Sequence, residues 1–324
     1  MSRRFSSLDA LLLVMTLIWG TNYSIVKHAF TEMDPQAFNA ARMLIGSIVF
    51  LAIIYALQWK WARAPEKDGD DRGRKAIASI FHSPAPITRR DWLGLIGLGI
   101  VGHFLYQYFF IGGLAATSVA NSSLILAATP VVIALMTAAL GQERVNALHW
   151  LGAALSMGGI YLVVAEGGSD AVGSLRGDLT MFAAVCCWAI YTIGARALMV
   201  RHSPVGVTGV SMTIGTVLYV TAVLPHLTRL DWSTVGVGAW VAVVYSALFA
   251  LCVAYTIWYA AVRAIGSART AVYSNLVPLV ALGTAVVALG ESLSALKIAG
   301  AAAVLVGVAL TRVGRTKLAI PAEE

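Results

Sequence analysis

The chain has 324 residues, of which 59% are hydrophobic and only 12% are charged, and its net charge is +7 at pH 7. A soluble protein carries about 25% charged residues, so this composition cannot cover a water-exposed globule with polar side chains and predicts one membrane domain. The lysines and arginines lie between apolar runs, not on one face, which argues against a nucleic-acid-binding protein and is typical of basic cytoplasmic loops.

Ten apolar stretches are each long enough to span a bilayer, which requires about 20 mostly apolar residues. The first follows Arg3 and Arg4 but has no convincing small-residue cleavage site, so we predict a retained helix and not a signal peptide. The predicted spans are residues 8–28, 36–58, 92–114, 119–140, 146–165, 177–199, 204–224, 236–262, 268–289 and 293–313.

The distribution of lysine and arginine predicts the orientation of the chain. Placing both termini in the cytoplasm puts 18 of the 23 lysines and arginines on the inner side and 4 on the outer side, with Arg42 inside a span. Residues 59–91, a long hydrophilic stretch, then form a cytoplasmic loop. Two termini on the same side require an even number of spans, which agrees with ten.

The sequence repeats itself internally in two registers. At an offset of 169 residues the identical pairs are Asp9 and Asp178, Trp19 and Trp188, Pro35 and Pro204, Met43 and Met212, and Gly46 and Gly215. At an offset of 148 residues they are Pro130 and Pro278, Glu143 and Glu291, Gly152 and Gly300, and Gly159 and Gly307. The offset is smaller in the second register than in the first, as an insertion at 59–91 in the first half would produce. We therefore predict two five-helix repeats, over residues 1–166 and 167–324.

Each predicted repeat has an odd number of helices, so the second repeat enters the membrane from the opposite side. The predicted fold class is an all-α polytopic membrane protein with ten transmembrane helices arranged as two inverted five-helix repeats. This is the architecture of many secondary transporters, whose binding site lies near the membrane midplane between the halves.

Short motifs recur in a fixed order along the predicted helices. They are Trp19-Gly20-Thr21-Asn22, Phe38 with Arg42, Pro130 with Gly141 and Glu143, Trp188-Ala189, and Asn275 with Pro278, Gly290 and Glu291. In these motifs and in its repeat, the chain resembles the drug/metabolite transporter superfamily, in particular its EamA-type members, from about residue 8 to residue 313.

The resemblance implies ten helices, cytoplasmic termini and a multi-pass location in a cell membrane, here a bacterial inner membrane. It also implies transport, usually export, of amino acids or other small metabolites. The chain departs from the family pattern in its long loop at 59–91. It departs again at Arg42, because the residue in the matching position of the second repeat is Ser211.

Polar and aromatic side chains share one face of the predicted helix 92–114. His103, Tyr106, Gln107 and Phe110 occupy positions i, i+3, i+4 and i+7, which fall on one arc at about 100° per residue. His103 and Gln107 are costly in hydrocarbon unless they face protein or water. This face is predicted to be a cavity wall that binds substrate or relays a proton, and interhelical hydrogen bonding is the alternative.

A second candidate face lies on the predicted helix 8–28, where an aromatic residue again stands beside a hydrogen-bonding group. Such a face suits an amphipathic ligand, although an interfacial aromatic belt is the alternative. The residues are Trp19, Asn22 and Tyr23, with Trp188 and Tyr191 among their repeat mates. Tyr255 and Trp258 are the repeat mates of Gln107 and Phe110, and they either complete the cavity or pack in the core.

Arg42 lies one to two turns inside the predicted helix 36–58, where a bare charge costs at least about 2.5–3.5 kcal/mol. It is a candidate to bind a substrate carboxylate, while pairing with a helix end and snorkelling to the interface stay open as alternatives. Asn121 and Asn275 are further candidates for polar contacts with a substrate.

Two prolines and two glutamates occupy matching places in the two halves. Pro130 and Pro278 lie inside predicted spans and are expected to kink them. Glu143 and Glu291 follow at equal spacing, and each is predicted to cap the start of the next helix, because carboxylates stabilise helix N-termini.

These features together predict a secondary transporter that moves small amphipathic metabolites by alternating access, and not an enzyme. An intramembrane lipid-modifying enzyme needs paired carboxylates or a nucleophile with its base, and a channel needs oligomeric pore symmetry; both stay as alternatives.

No P-loop, zinc motif or cysteine spacing is present, so no cofactor, metal or catalytic residue is predicted. The expected partners are a small-molecule substrate and the bilayer, with protons as a candidate coupling ion. We expect either a monomer or a homodimer.

Overall fold

The computed structural model describes residues 7–62, 79–81, 85–139, 143–165, 171–265, 270, 273–274, 276–313 and 315–317. Almost all of these residues are helical. In chain order the helices of the first half are α1 (Ser7–Ala29), α2 (Pro35–Ala62), α3 (Arg89–Ala116), α4 (Val119–Ala127), α5 (Thr129–Ala139) and α6 (Ala147–Ala165).

The second half contains α7 (Ala171–Leu198), α8 (Pro204–Ala222), α9 (Leu224–Arg229), α10 (Val237–Ala264), α11 (Val277–Leu289) and α12 (Ala295–Val313). One turn of 3-10 helix covers Trp232–Thr234. Two strands, β1 (Glu143–Val145) and β2 (Arg315–Lys317), pair antiparallel and join the start of α6 to the end of α12.

Helix starts follow local capping signals. At the start of α3, the Thr88 hydroxyl accepts a hydrogen bond from the Asp91 N–H, and the Asp91 carboxylate accepts one from the Thr88 N–H. This capping box satisfies two backbone donors that a helix start leaves free. It places the start of α3 at Arg89, inside the predicted loop 59–91, and α2 likewise extends into that loop as far as Ala62.

The predicted span 119–140 is divided into two helices. The division falls at Ala128, two residues before Pro130, because proline has no N–H to donate to the preceding turn and its ring clashes with that turn. Pro130 and Pro278 thus occupy the same place, in the first turn of α5 and of α11, and not inside a helix as predicted. Proline is well tolerated there, because the first helical N–H groups have no partner in any case.

Two helices contain π-helical segments at matching places. Within α3 the segment is Gly99–Leu105, and within α10 it is Ser246–Val253. Their starts are 246 − 99 = 147 residues apart and their ends 253 − 105 = 148 residues apart, which agrees with the 148-residue register of the sequence. A π turn uses i→i+5 hydrogen bonds, so it rotates the following side chains relative to a regular α-helix.

Within the residues that the structure describes, six helices are long and apolar enough to cross a membrane by length and composition: Ser7–Ala29, Pro35–Leu57, Arg89–Ala116, Leu175–Leu198, Pro204–Ala222 and Val237–Ala264. Large apolar side chains on the outside of the bundle, such as Ile48, Val217 and Val287, are mostly exposed, as expected for surfaces that face lipid. Ten spans and two inverted repeats stay predictions.

Tight packing connects helices from the two halves. Helix α1 packs against α10 and α11, α3 packs against α7 and α8, and α6 packs against α12. A Cβ atom placed on Gly159 would lie 2.7 Å from the Gly300 carbonyl oxygen, and one placed on Gly307 would lie 2.5 Å from the Gly152 carbonyl oxygen. Small residues thus allow α6 and α12 to approach closely.

We expect Gly307→Ala to destabilise the folded protein by about 1–3 kcal/mol, because the added methyl group overpacks the α6–α12 contact. The matched control is Gly283→Ala on α11, where an added Cβ meets no atom within 4 Å among the described residues. Thermal unfolding of the purified protein in detergent measures both variants. Equal melting temperatures for Gly307→Ala and Gly283→Ala would contradict this packing.

Candidate functional site

A cavity lies between the two halves of the helix bundle. The volume of this cavity is about 110 Å³. Nine of the thirteen predicted site residues line it: Trp19, Asn22, Tyr23, Arg42, Tyr106, Gln107, Trp188, Tyr255 and Trp258. Both halves of the chain contribute to its wall.

The wall of the cavity is a connected set of aromatic rings. Trp19 lies 6.0 Å from Tyr255 and 5.5 Å from Trp258 between ring centroids, and Trp188 lies 5.5 Å from Tyr255 and 4.9 Å from Tyr106. The Trp19 indole N–H donates to the Ala250 carbonyl at 3.0 Å, which fixes that ring. Such a wall buries the apolar body of a ligand, and the polar groups of its tyrosine and tryptophan rings orient that ligand.

Arg42 is the charged group among the described residues that line this cavity. Its side chain is buried, so snorkelling to the interface is excluded. The guanidinium donates from Nε to Asn39 Oδ1 at 2.5 Å, from Nη1 to Ser246 Oγ at 2.8 Å and from Nη2 to Gln107 Oε1 at 2.8 Å. It also lies 6.0 Å from the ring centre of Phe110. All three hydrogen-bond acceptors are neutral, so the positive charge is held in place without being neutralised.

His103 lies behind the cavity wall instead of lining it, contrary to its predicted place beside Tyr106 and Gln107. Its Nε2 is 3.2 Å from the Tyr191 hydroxyl oxygen, and it packs on α8, where a Cβ atom on Gly215 would lie 2.4 Å from the His103 Cβ. The predicted arc assumed about 100° per residue. The π segment Gly99–Leu105 changes that rotation between His103 and Gln107.

The other predicted residues have different positions. Tyr191 is fully buried, and it stands with His103 behind the wall. Asn121 lies near the start of α4, where its side-chain amide donates to the Asp178 carboxylate at 3.3 Å, and it does not line the cavity. Asn275 lies outside the described residues. Sequence therefore placed aromatic residues in the cavity more reliably than it placed polar ones.

The bundle end around the turn between α3 and α4 is held by charged side chains. The Lys27 ammonium donates to the carbonyl oxygens of Leu114, Ala115 and Thr117 at 2.8, 3.0 and 2.8 Å, at the C-terminus of α3. These are the carbonyl groups that a helix end leaves unpaired, and a cation beside them is favoured by the helix dipole.

Glu291 caps the neighbouring helix start. Its carboxylate accepts from the N–H groups of Val119 and Ala120, at 2.8 and 3.1 Å. The prediction that Glu291 caps the next helix in sequence was therefore wrong, because its carboxylate binds the N-terminus of α4 in the first half. Glu143 lies in β1, and its side chain lies outside the described residues.

Sequence reasoning missed two of the residues that accept hydrogen bonds from Arg42. Asn39 lies three positions before Arg42 on α2, a spacing that places the two side chains on one helix face. Ser246 is a buried hydroxyl in an apolar run and lies 204 residues from Arg42 in sequence. The first contact had a local signal, whereas the second depends on tertiary packing.

Comparison with known proteins gives a consistent result. A family model described as the EamA-like transporter family matches residues 6–68, 75–165 and 175–313. An uncharacterized transporter of Bacillus subtilis, YyaM, is 28% identical over 275 residues, which cover 84% of this chain and 83% of that protein. An uncharacterized transporter of Archaeoglobus fulgidus is 26% identical over 276 residues, which cover 83% of this chain and 85% of that protein.

A probable terminal-alkyne amino-acid exporter of Streptantibioticus cattleyicolor is 27% identical over 211 residues, which cover 64% of this chain and 69% of that protein. A solved crystal structure aligns with a TM-score of 0.62 at 21% identity, over 95% of this chain and 96% of its own, which shows a shared fold.

The family match includes both halves of the chain, and the long apolar helices agree with it. The protein is a multi-pass membrane protein of the transporter class. The chain belongs to the EamA-like transporter family of the drug/metabolite transporter superfamily.

Proposed function

We propose that the protein is a secondary transporter that exports small amphipathic metabolites, such as amino acids or related compounds, across the cell membrane. The observation that carries this proposal is the central cavity, where an aromatic wall from both halves surrounds the buried Arg42 guanidinium. The name of the Streptantibioticus relative, an amino-acid exporter, also supports it. The aromatic wall with a few polar groups has the chemistry of a small-molecule site, and it lies where two repeats would move against each other.

The proposed architecture is ten spans in two inverted repeats, residues 1–166 and 167–324, with both termini in the cytoplasm. Two structural features support it in addition to the sequence register. The π segments of α3 and α10 lie at matching positions. The four glycines at the α6–α12 contact form two repeat pairs, Gly152 with Gly300 and Gly159 with Gly307, and each pair has one member in each half.

A difference between the two bundle ends supports alternating access. Lys27, on the predicted outer side, holds the C-terminus of α3 with three hydrogen bonds. Its repeat mate at an offset of 169 is Arg196, which is exposed in the last turn of α7 and has no hydrogen bond within the described part of the chain. We infer that the described state is closed at the outer end. In the opposite state Arg196 holds the C-terminus of α10 and Lys27 is released.

The test is a transport screen in inside-out membrane vesicles, with amino acids and related acids offered with and without a proton gradient. Saturable accumulation of at least one compound, above vesicles without the protein, supports the proposal. A dependence on the proton gradient identifies protons as the coupling ion. Chemical conversion of a lipid without transport would favour the enzyme alternative, and non-saturable flux would favour the channel.

The inverted topology predicts opposite labelling of two repeat-equivalent positions. Thr31 follows α1 and Val200 follows α7, both are exposed, and they are 169 residues apart. In a background without the three native cysteines, Thr31→Cys should react with a membrane-impermeant thiol reagent only from outside, and Val200→Cys only from the cytoplasm. Reaction of both from the same side would exclude two inverted repeats.

A further inference from the structure

We propose that the cavity selects organic anions, namely monocarboxylates with an aromatic or apolar body and one uncharged hydrogen-bonding group, over zwitterions and cations. This inference rests on the proposed transport function and specifies its substrate class. It is carried by the hydrogen bonding of Arg42 and by two further polar atoms of the cavity wall that have no partner among the described residues.

The first step concerns the donors of the Arg42 guanidinium. An arginine side chain has five N–H donors, and three of them are used by Asn39, Ser246 and Gln107. Within the described residues, one N–H therefore remains unused on each terminal nitrogen, and such a pair fits the two oxygens of a carboxylate. Because the three neutral acceptors come from α2, α3 and α10, the guanidinium is oriented before any ligand arrives.

The second step concerns charge. Among the described residues that line the cavity, Arg42 alone carries a formal charge. An isolated charge in a low-dielectric site is unfavourable unless it is paired. A carboxylate without an ammonium group brings the site to neutrality. A zwitterion leaves one positive charge in excess, and a cation adds a second one.

The third step concerns the two unpaired polar atoms. Asn22 Oδ1 and Trp258 Nε1 are buried without a hydrogen-bond partner within the described residues, and both side chains line the cavity. One is an acceptor and the other is a donor. A ligand hydroxyl or amide group can both donate and accept a hydrogen bond, so it offers the kind of partner that each atom lacks. Unpaired buried groups of this kind are expected to favour a ligand that completes them.

The experiment compares three compounds that share one phenylpropyl skeleton and differ in charge. They are L-phenyllactate, an anion with a hydroxyl group, L-phenylalanine, a zwitterion, and L-phenylalaninol, a cation. Binding to the purified protein at pH 7 is measured by quenching of tryptophan fluorescence, because Trp19, Trp188 and Trp258 line the cavity. We expect phenyllactate to bind at least about tenfold more tightly than phenylalanine, and phenylalaninol to bind most weakly.

Two variants test the named residues. Arg42→Gln should remove the preference for phenyllactate over phenylalanine. Asn22→Asp is isosteric and adds a carboxylate to the wall, so it should lower the preference for phenyllactate at least about tenfold, whether it pairs with the ligand ammonium or with Arg42. If Arg42→Gln does not fold, the wild-type series and Asn22→Asp decide the question.

Equal or tighter binding of phenylalanine by the wild-type protein would overturn the substrate class, as would the absence of binding by all three compounds. A preference for phenyllactate that persists in Asn22→Asp and in folded Arg42→Gln would overturn the assignment to these residues. Saturable transport of a zwitterion in the vesicle screen would leave the proposed transport function standing while it excluded the anion preference, so the two failures are distinguishable.

Discussion

Replacing Ala127 with tryptophan is expected to abolish substrate transport while the protein still folds and inserts. Ala127 lies at the end of α4 and lines the cavity, where it is nearly fully buried. An indole ring at this position occupies the space between the aromatic wall and α4, so a substrate is excluded by steric overlap. No hydrogen bond of the cavity is removed, in contrast to a bulky replacement of Gln107, which would also deprive Arg42 of an acceptor.

The matched control for Ala127→Trp is Gly97→Trp. Gly97 is exposed on α3, and an added Cβ there meets no atom within 4 Å among the described residues. The same bulky side chain should therefore be tolerated, with transport close to wild type. Transport rate in vesicles is normalised to the amount of inserted protein. Normal transport by Ala127→Trp, or loss of transport by Gly97→Trp, would show that the cavity is not the transport path.

The sequence predicted the cavity-facing residues of α1 well because α1 is a regular helix. Trp19, Asn22 and Tyr23 follow the i, i+3, i+4 pattern, and all three line the cavity. The same pattern failed at His103 because α3 contains a π segment. Amino-acid spacing reports the helix face only if the rotation per residue is constant, and nothing in the residue types of Gly99–Leu105 reveals where that rotation changes.

The polar contacts of the site were harder to predict than its aromatic wall. A buried arginine in an apolar helix was correctly recognised as costly, but its acceptors on α3 and α10 become neighbours only through the packing of three helices. The cap that Glu291 provides for α4 depends in the same way on the contact between the two halves. Helix positions follow from local composition, whereas partners distant in sequence follow from the tertiary arrangement.

Removing Lys27 is expected to open the outer end of the bundle, and removing Arg196 is expected to have the opposite effect. Lys27 makes three hydrogen bonds to the C-terminus of α3 in the described state. A hydrogen bond to a charged group contributes about 1.5–3 kcal/mol, so loss of these bonds should shift a two-state equilibrium at least about tenfold. The proposed contact of Arg196 with the C-terminus of α10 stabilises the other state, in which the cytoplasmic end is closed.

The reporter is a cysteine in place of Ser123, which lines the cavity, in a background without Cys186, Cys187 and Cys252. Lys27→Met should raise the rate of its reaction with an impermeant thiol reagent from outside, whereas Arg196→Met should lower it. Both variants should transport more slowly than wild type, since transport requires each state in turn. Arg229→Met, which removes an exposed charge on the same predicted outer side, is the control and should change neither quantity. Shifts of the labelling rate in the same direction for Lys27→Met and Arg196→Met would contradict a reciprocal exchange, because one contact would then not replace the other as the protein changes state.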